Sequence, residues 1–154
     1  MKAFAAGIVL ALLGGGAVLY FGSSASADLP TVTVYKSPSC NCCAKWVEHM
    51  RAQGFSVDIE SRFSLKSVKR RAGVPSSLAA CHTAVVGNYV VEGHVPAQDV
   101  KRLLRKKPDV QGISVPGMPV GSPGMERGGR VEPYEVLAFT TAGDTRVFAR
   151  YGRQ

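Results

Sequence analysis

The fold is decided by the segment from Thr31 to Cys43, which reads Thr-Val-Thr-Val-Tyr-Lys-Ser-Pro-Ser-Cys-Asn-Cys-Cys. Its first five residues are β-branched or aromatic and predict a strand, and Lys36 to Ser39 predict a turn. Apolar residues at helical spacing follow and predict a helix that ends at Gln53-Gly54. The motif from Cys40 to Cys43 therefore straddles the N-terminus of the first helix.

The next part of the chain continues the alternation of strands and helices. The predicted elements are a strand near 57–60, a helix near 65–72, two strands at 82–86 and 89–92 joined by the hairpin signal Gly87-Asn88, and a helix from Pro96 to Lys107. This order predicts an α/β domain of thioredoxin-like fold, with a mixed sheet, flanking helices and reactive cysteines at the first strand-to-helix turn.

The C-terminal third of the chain has a different composition. Residues 108–133 are rich in Gly and Pro and predict an extended loop with little regular structure. Residues 134–151 alternate in polarity around Ala142-Gly143-Asp144 and predict a final β-hairpin. We expect this hairpin to join an edge of the sheet, and the sequence favours neither edge.

The N-terminal residues 1–27 have the order of a secretory signal. A cationic start at Lys2 is followed by an uncharged apolar stretch and by Ala25-Ser26-Ala27, so we expect cleavage after Ala27 and a mature domain of residues 28–154. The alternative is an uncleaved anchor, because the apolar stretch approaches the roughly 20 residues that cross a bilayer. Attachment to a membrane is expected only in that second case, and the domain lies outside the cytoplasm in both.

Composition excludes several classes of protein. The chain has 154 residues, of which 45% are hydrophobic and 19% charged, so it is neither a disordered chain nor a multi-span membrane protein. It has no paired catalytic carboxylates, nucleophilic serine motif or phosphate-binding loop.

The net charge of +8 is explained by solvated helix faces, since an exported chain has no nucleic acid to bind. Weak attraction to an anionic membrane or an acidic partner stays open.

The four cysteines are the strongest chemical signal. Cys40, Cys42 and Cys43 lie at the predicted helix N-terminus, where unpaired N–H groups and the helix dipole stabilise thiolates. Cys81 directly precedes the strand at 82–86, and the loop entering that strand abuts the C-x-x-C turn in a thioredoxin-like domain. The predicted fold therefore brings four sulfurs together, which is typical of a metal site.

Four chemistries compete for these sulfurs. Monovalent copper is favoured because it is soft and accepts about two to four sulfur ligands. A thiol-disulfide oxidoreductase is the main alternative, although it needs only two thiols and would normally keep a cis proline where this chain has Ala80-Cys81-His82. Structural disulfides and structural zinc also stay open, although adjacent cysteines strain a disulfide and distort a regular tetrahedron.

Three motifs occur together in this chain: Ser-Pro-Ser-Cys-Asn-Cys-Cys at 37–43, Ala-Cys-His-Thr at 80–83 followed by Val-Glu-Gly-His-Val-Pro at 91–96, and the loop Val-Pro-Gly-Met-Pro-Val-Gly-Ser-Pro-Gly-Met at 115–125. As a set they resemble the CopG-type periplasmic copper-resistance proteins, a thioredoxin-like family also catalogued as a domain of unknown function. The resemblance covers roughly residues 30–151.

The resemblance carries expectations about function. It implies that Cys40, Cys42, Cys43 and Cys81 bind copper, as Cu(I) in a thiolate-bridged multinuclear cluster, and that the protein serves copper resistance in the periplasm. It also implies exchange with other periplasmic copper-handling proteins and a redox role between the two oxidation states of copper. Whether the protein is an enzyme is left open at this point.

Further side chains are candidate copper ligands, each with a structural alternative. Met118 and Met125 each end a Pro-Gly-Met triplet, and their thioethers suit exported copper proteins or simply fill irregular gaps. His82 and His94 would bind divalent copper through imidazole or form hydrogen bonds in a turn. His49 is the weakest candidate because it lies off the apolar stripe of its helix.

Overall fold

The computed structural model describes residues 29–152. The secretory signal, or anchor, predicted for residues 1–27 lies outside the described residues. Within 29–152, none of the helices is both long and apolar enough to cross a bilayer.

Seven strands and three α helices form the described part of the chain. The strands are β1 (Val32–Lys36), β2 (Val57–Ser61), β3 (Thr83–Val86), β4 (Tyr89–Glu92), β5 (Gly112–Ser114), β6 (Tyr134–Phe139) and β7 (Thr145–Tyr151). The helices are α1 (Asn41–Ala52), α2 (Lys66–Arg71) and α3 (Ala97–Lys106), with a short 3-10 helix at Ser76–Leu78.

All seven strands belong to one mixed sheet in the order β2-β1-β3-β4-β5-β6-β7. β1 and β2 are parallel and connected through α1, and β4 and β5 are parallel and connected through α3. The remaining neighbours are antiparallel. The predicted α/β class and thioredoxin-like arrangement are confirmed, and the β1–α1 junction carries the cysteine motif as expected.

The two faces of the sheet are covered unequally. The larger core lies on the face covered by α1 and α3, whose buried Trp46, Met50, Val100 and Leu103 pack against apolar residues of the strands. A smaller cluster around Leu78 lies on the opposite face, where Val90 and Phe139 are buried. Alternation along β4 explains this, since successive side chains of a strand point to opposite faces.

The loop predicted for 108–133 is correct except for one strand. Gly112–Ser114 forms β5, which lies inside the sheet between β4 and β6. A Cβ built at Gly112 would lie 2.1 Å from the Val90 carbonyl oxygen, so the glycine permits this close approach of strands. Three residues that include a glycine carry too weak a strand pattern to be recognised in a Gly/Pro-rich segment.

The C-terminal hairpin extends the sheet on the side of β5. β6 pairs with β5, and β7 becomes the edge strand. The sequence favoured neither edge of the sheet for this hairpin. In the structure the hairpin pairs with β5, the strand that was not predicted, and β7 therefore lies at the opposite edge of the sheet from β2.

Candidate metal centre

Cys40 occupies the N-cap of α1 and is held there by backbone hydrogen bonds. Its N–H donates to the carbonyl oxygen of Ser37 at 3.1 Å, which closes the turn after β1. Its Sγ accepts from the N–H of Cys43 at 3.4 Å, so the sulfur takes the place of a capping side chain. The free N–H groups of the first turn therefore lie beside the cysteines and stabilise negative charge on them.

The loop that enters β3 brings Cys81 to the same place. The sulfur atoms of Cys40, Cys42, Cys43 and Cys81 all lie within 4.8 Å of one another. Cys43 is fully buried, whereas the other three cysteines are partly exposed. The structure therefore brings the four predicted cysteines together in a group that solvent reaches.

Two of the four cysteines are covalently paired. Cys40 and Cys43 form a disulfide, whereas Cys42 and Cys81 are free thiols. Because a disulfide sulfur is not a thiolate, this form offers a metal two thiols, and a two-electron, two-proton reduction would restore four. The pair also joins the two ends of the C-x-x-C motif, which is the pairing that thiol-disulfide exchange uses.

The free thiol of Cys81 is held in its protonated form. Burial, followed by the neighbouring thiol of Cys42, raises the pKa of Cys81 to about 12. A thiol with this pKa is a poor nucleophile at neutral pH. Because a metal ion must displace this proton, metal binding at Cys81 would release a proton and would depend on pH.

His94 presents a free ring nitrogen to Cys81. Its Nδ1 lies 2.8 Å from the carbonyl oxygen of Pro123, and because a carbonyl only accepts, Nδ1 carries the proton. Its Nε2 lies 2.9 Å from the Sγ of Cys81 and accepts from that thiol. Burial lowers the pKa of His94, which keeps the ring neutral. Metal-binding histidines are commonly fixed in this way by a carbonyl on the second nitrogen.

His82 lies on another side of the same thiol. Its Nδ1 is 3.3 Å from the Sγ of Cys81, and its Nε2 has no hydrogen-bond partner within the described residues. Its ring centroid lies 4.5 Å from that of Trp46. Complete burial lowers the pKa of His82 well below 6.5, and the neighbouring His94 adds to this effect. Cys81, His82 and His94 thus form a second group whose ligand atoms lie within 4.8 Å of one another.

The two methionines occupy different positions on the strap, by which we mean residues 116–126. Met118 is 52% exposed, whereas Met125 is partly buried. Gly124, just before Met125, packs on the first turn of α1, where a Cβ would lie 2.7 Å from the Cys42 carbonyl oxygen. The structure therefore places the backbone just before Met125 against the first turn of α1 and leaves Met118 at the surface.

His49 makes a structural contact away from the cysteines. Its Nε2 accepts from the N–H of Ala97 at 3.1 Å and so ties α1 to the start of α3. Burial lowers the pKa of His49, while the charge of Glu126 acts in the opposite sense. This contact supports the structural alternative for the weakest of the histidine candidates.

The sequence did not reveal a buried ion pair beneath the Cys81 loop. Glu92 is fully buried, and Lys69 Nζ donates to its Oε1 at 2.5 Å. The same carboxylate accepts from the N–H of Ala80 at 2.6 Å and from the hydroxyl of Thr83 at 2.7 Å. We call these four groups the Glu92 anchor. An acidic residue ending an apolar strand was its only signal, and nothing in the sequence pointed to Lys69 as its partner.

Comparisons with known proteins agree with this geometry. A family model described as a protein of unknown function, DUF411, matches residues 78–125. Two solved structures named copper resistance protein CopG, in forms 2 and 1, are each 44% identical to the chain and cover 80% of it. The match spans 99% and 98% of those chains, with TM-scores of 0.77 and 0.76. No curated protein sequence matches the chain.

Proposed function

Because the chain belongs to the family of the copper resistance protein CopG, we propose that it binds Cu(I) through Cys40, Cys42, Cys43 and Cys81. The observation that carries the proposal is the convergence of four sulfurs within 4.8 Å at a helix N-terminus. Thiolates are the ligands that monovalent copper prefers, and one thiolate can bridge two ions. Four sulfurs at this spacing therefore support a cluster of more than one copper ion.

The neighbouring side chains support the same proposal. The unprotonated Nε2 of His94 lies 2.9 Å from the Cys81 sulfur and adds an imidazole nitrogen, a ligand type that suits copper. His82 offers a second imidazole on the same thiol. Met125 is the thioether better placed for a ligand role, and the exposed Met118 is better placed to meet incoming copper.

Export to the periplasm is part of this proposal. It rests on the cationic, apolar and small-residue order of residues 1–27, which ends in Ala25-Ser26-Ala27. Copper held by cysteines outside the cytoplasm would be exchanged with other periplasmic copper-handling proteins. An uncleaved membrane anchor is the alternative for the same residues. Mass spectrometry of the exported protein from both the soluble and the membrane fraction distinguishes a chain that begins at Asp28 from one that begins at Met1.

A redox role is a second candidate, and the Cys40–Cys43 disulfide favours it. Oxidation of two Cu(I) ions to Cu(II) would release two electrons, which with two protons would convert this disulfide into two thiols. A dithiol substrate would supply the same electrons and protons and become a disulfide itself. In the first reaction the disulfide would act as the oxidant of Cu(I). In the second the protein would act as a thiol-disulfide oxidoreductase.

The decisive experiment is copper analysis of the reduced protein. After reduction and anaerobic loading with Cu(I), we expect two or more tightly bound copper ions per chain by elemental analysis and competition with a Cu(I) chelator. Cys81→Ser should bind markedly less copper, because it removes a sulfur from the group. Ser39→Ala, an exposed change beside Cys40, is the control and should bind as the wild type does.

Three results would contradict the proposal. Unchanged stoichiometry and affinity in Cys81→Ser would remove Cys81 from the site. Absence of tight copper in the wild type, together with rapid exchange between the Cys40–Cys43 disulfide and a dithiol peptide, would identify an oxidoreductase. Tighter binding of zinc than of Cu(I) would favour a structural zinc site.

A further inference from the structure

An apolar groove with a cationic rim lies beside the cysteine cluster. It is formed by α2 and the segments on either side of it, encloses about 680 Å³, and is lined by Phe63, Leu65, Lys66, Arg70, Val74 and Ala80 among others. We call it the Phe63 groove. No acidic side chain of residues 29–152 lines it. Its charge therefore has one sign, and the Glu92 carboxylate lies buried beyond Lys69.

The exposed aromatic ring is the most unusual part of this groove. Phe63 is 98% exposed, more than any other large apolar residue among the described ones. A phenyl ring in water is unfavourable, and aromatic residues are enriched where proteins bind each other. Phe63 is not needed for the core, since it belongs to neither cluster of buried residues. The ring is thus available to an external partner.

The cations on the rim are also unpartnered. Within the described part of the chain, Lys66 and Arg70 form no ion pair and are exposed on successive turns of α2. Apolar surface beneath free cations is complementary to an acidic segment with an apolar anchor. A membrane surface fits less well, because only the Phe63 ring protrudes, whereas Leu65 and Val74 are partly buried in the groove, where a flat bilayer would not reach them.

The groove ends at the two loops that carry the cysteines. Ser37 and Ala80 line it, and they belong to the two loops that carry Cys40 and Cys81. A molecule seated in the groove would therefore touch the loops of the cluster on its partly exposed side. This continuity distinguishes the groove from a second basic groove, which lies between Leu104, Arg105 and the Gly87-Asn88 turn at the opposite end of β3.

We propose that the Phe63 groove is the docking surface for the protein that exchanges copper with the cysteine cluster, and that this partner presents an acidic segment with an apolar side chain at its centre. The inference rests on the proposed copper function for its purpose, but binding at the groove is measurable without copper. Phe63 anchors the apolar side chain, and Lys66 and Arg70 accelerate and orient the encounter.

The first test uses the copper-free protein and a synthetic peptide, acetyl-Asp-Glu-Glu-Phe-Glu-Glu-Asp-amide. In an NMR titration we expect amide shifts concentrated between Phe63 and Arg70 and at Ala80. Lys66→Glu/Arg70→Glu should weaken binding by about tenfold at low salt, and Phe63→Ser should weaken it without changing the charge. Arg105→Glu/Lys106→Glu is the control, since it makes the same change of charge on exposed residues of α3 and should leave binding within about twofold.

The second test uses the same peptide extended by Met-Gly-Gly-Met and loaded with Cu(I). Transfer to the reduced protein should be slower by about tenfold in Lys66→Glu/Arg70→Glu at unchanged final stoichiometry. If the protein takes up no copper but still binds the acidic peptide at the groove, the copper function fails and the docking surface stands.

Three outcomes would overturn the docking surface. Equal weakening by both double variants would mean that the peptide responds to net charge alone. Shifts that map outside the groove would place the partner elsewhere. Phe63-dependent binding to vesicles of phosphatidylcholine and phosphatidylglycerol, without binding to the peptide, would identify a membrane contact instead. Thermal unfolding of each variant shows that the fold is retained.

Discussion

Two buried carboxylates in this protein have the same kinds of hydrogen-bond donor but lie against different parts of the fold. Glu92, at the end of β4, is bonded to Lys69 and lies beneath the loop of Cys81. Asp99, in the first turn of α3, is bonded to Arg102 and lies against the C-terminal hairpin. Each is almost fully buried and each accepts from a cation and a hydroxyl.

What differs is the element that each carboxylate fixes. Asp99 accepts from the hydroxyl of Tyr151, whose ring stacks on Tyr134 at 4.9 Å, and Arg102 also donates to the Phe148 carbonyl oxygen. These contacts attach β7 to α3. The Glu92 anchor instead attaches α2 and the Ala80 amide to β4. Of two chemically similar ion pairs, one therefore fixes the C-terminal hairpin and the other fixes the loop that carries Cys81.

The largest expected effect comes from breaking the Glu92 anchor. Glu92→Gln leaves Lys69 almost buried without its counter-charge and should lower the free energy of unfolding by about 3 kcal/mol, measured in urea. It should also increase the alkylation rate of Cys81 severalfold, because the Ala80 amide is held less firmly and the unpaired Lys69 favours the thiolate. Mass spectrometry of alkylated peptides measures that rate in the presence of the Cys40–Cys43 disulfide.

Asp99→Asn is the matched control for this prediction. It should cost less stability, about 1 to 2 kcal/mol, since Arg102 is one-third exposed and keeps the Phe148 carbonyl. It should leave the alkylation of Cys81 unchanged. Equal acceleration of alkylation in both variants would mean that loss of stability, and not loss of the anchor, exposes the thiol.

A second prediction compares two glycines of the strap. Gly124 and Gly117 both have positive φ, so alanine at either position costs about 1 kcal/mol of backbone strain. At Gly124 the new Cβ would also lie 2.7 Å from the Cys42 carbonyl oxygen, whereas at Gly117 nothing lies within 4 Å. Gly124→Ala should therefore cost about 2 kcal/mol more than Gly117→Ala in urea unfolding and should speed alkylation of Cys42.

The outcome for Cys42 decides whether the strap shields the cysteine motif. If Gly124→Ala destabilises the protein and leaves the alkylation of Cys42 as slow as in Gly117→Ala, the strap supports the fold without covering the thiol. The strap would then contribute to stability without affecting thiol reactivity, as is expected of the Asp99 contacts. Of the contacts compared, only the Glu92 anchor would affect both stability and the alkylation of a cysteine.

The sequence predicted the helices and strands that have a strong local pattern and missed the one strand whose position depends on its neighbours. β1 and α1 have strong local patterns, and the turn between them carries Pro38 and the motif itself. β5 could not be predicted because its position depends on partners on both sides and on a glycine that admits the Val90 carbonyl. Its three residues have no strand signal of their own.

The contacts of the candidate site likewise fall into those that the sequence predicted and those that it did not. The approach of Cys81 to Cys40 followed from the predicted fold, because loop positions in that fold are fixed by the order of strands. The pairing of Lys69 with Glu92 depends on how α2 crosses the sheet, and one sequence does not encode that distance in a recognisable pattern. The tautomer of His94 likewise follows from a carbonyl of the strap, at Pro123, that only the folded chain brings near.

The smallest expected effect is a pH dependence of stability at His49. This side chain is hydrogen-bonded to the N–H of Ala97, which lies two residues before Asp99 in α3. Its Nε2 must be unprotonated to accept from the Ala97 N–H, and burial lowers its pKa below 6.5. The unfolded chain therefore binds the proton more readily, so this contribution to stability is full above about pH 6.5 and is lost as the pH falls below that value.

His49→Gln tests this, because a glutamine oxygen accepts without titrating. Between about pH 7 and 5.5 the wild type should lose up to about 1 kcal/mol more than the variant, measured by urea unfolding of the copper-free protein. His82 and His94, whose pKa values are also lowered, are present in both proteins and cancel in the difference. Parallel pH curves would show that the α1–α3 contact does not titrate in this range.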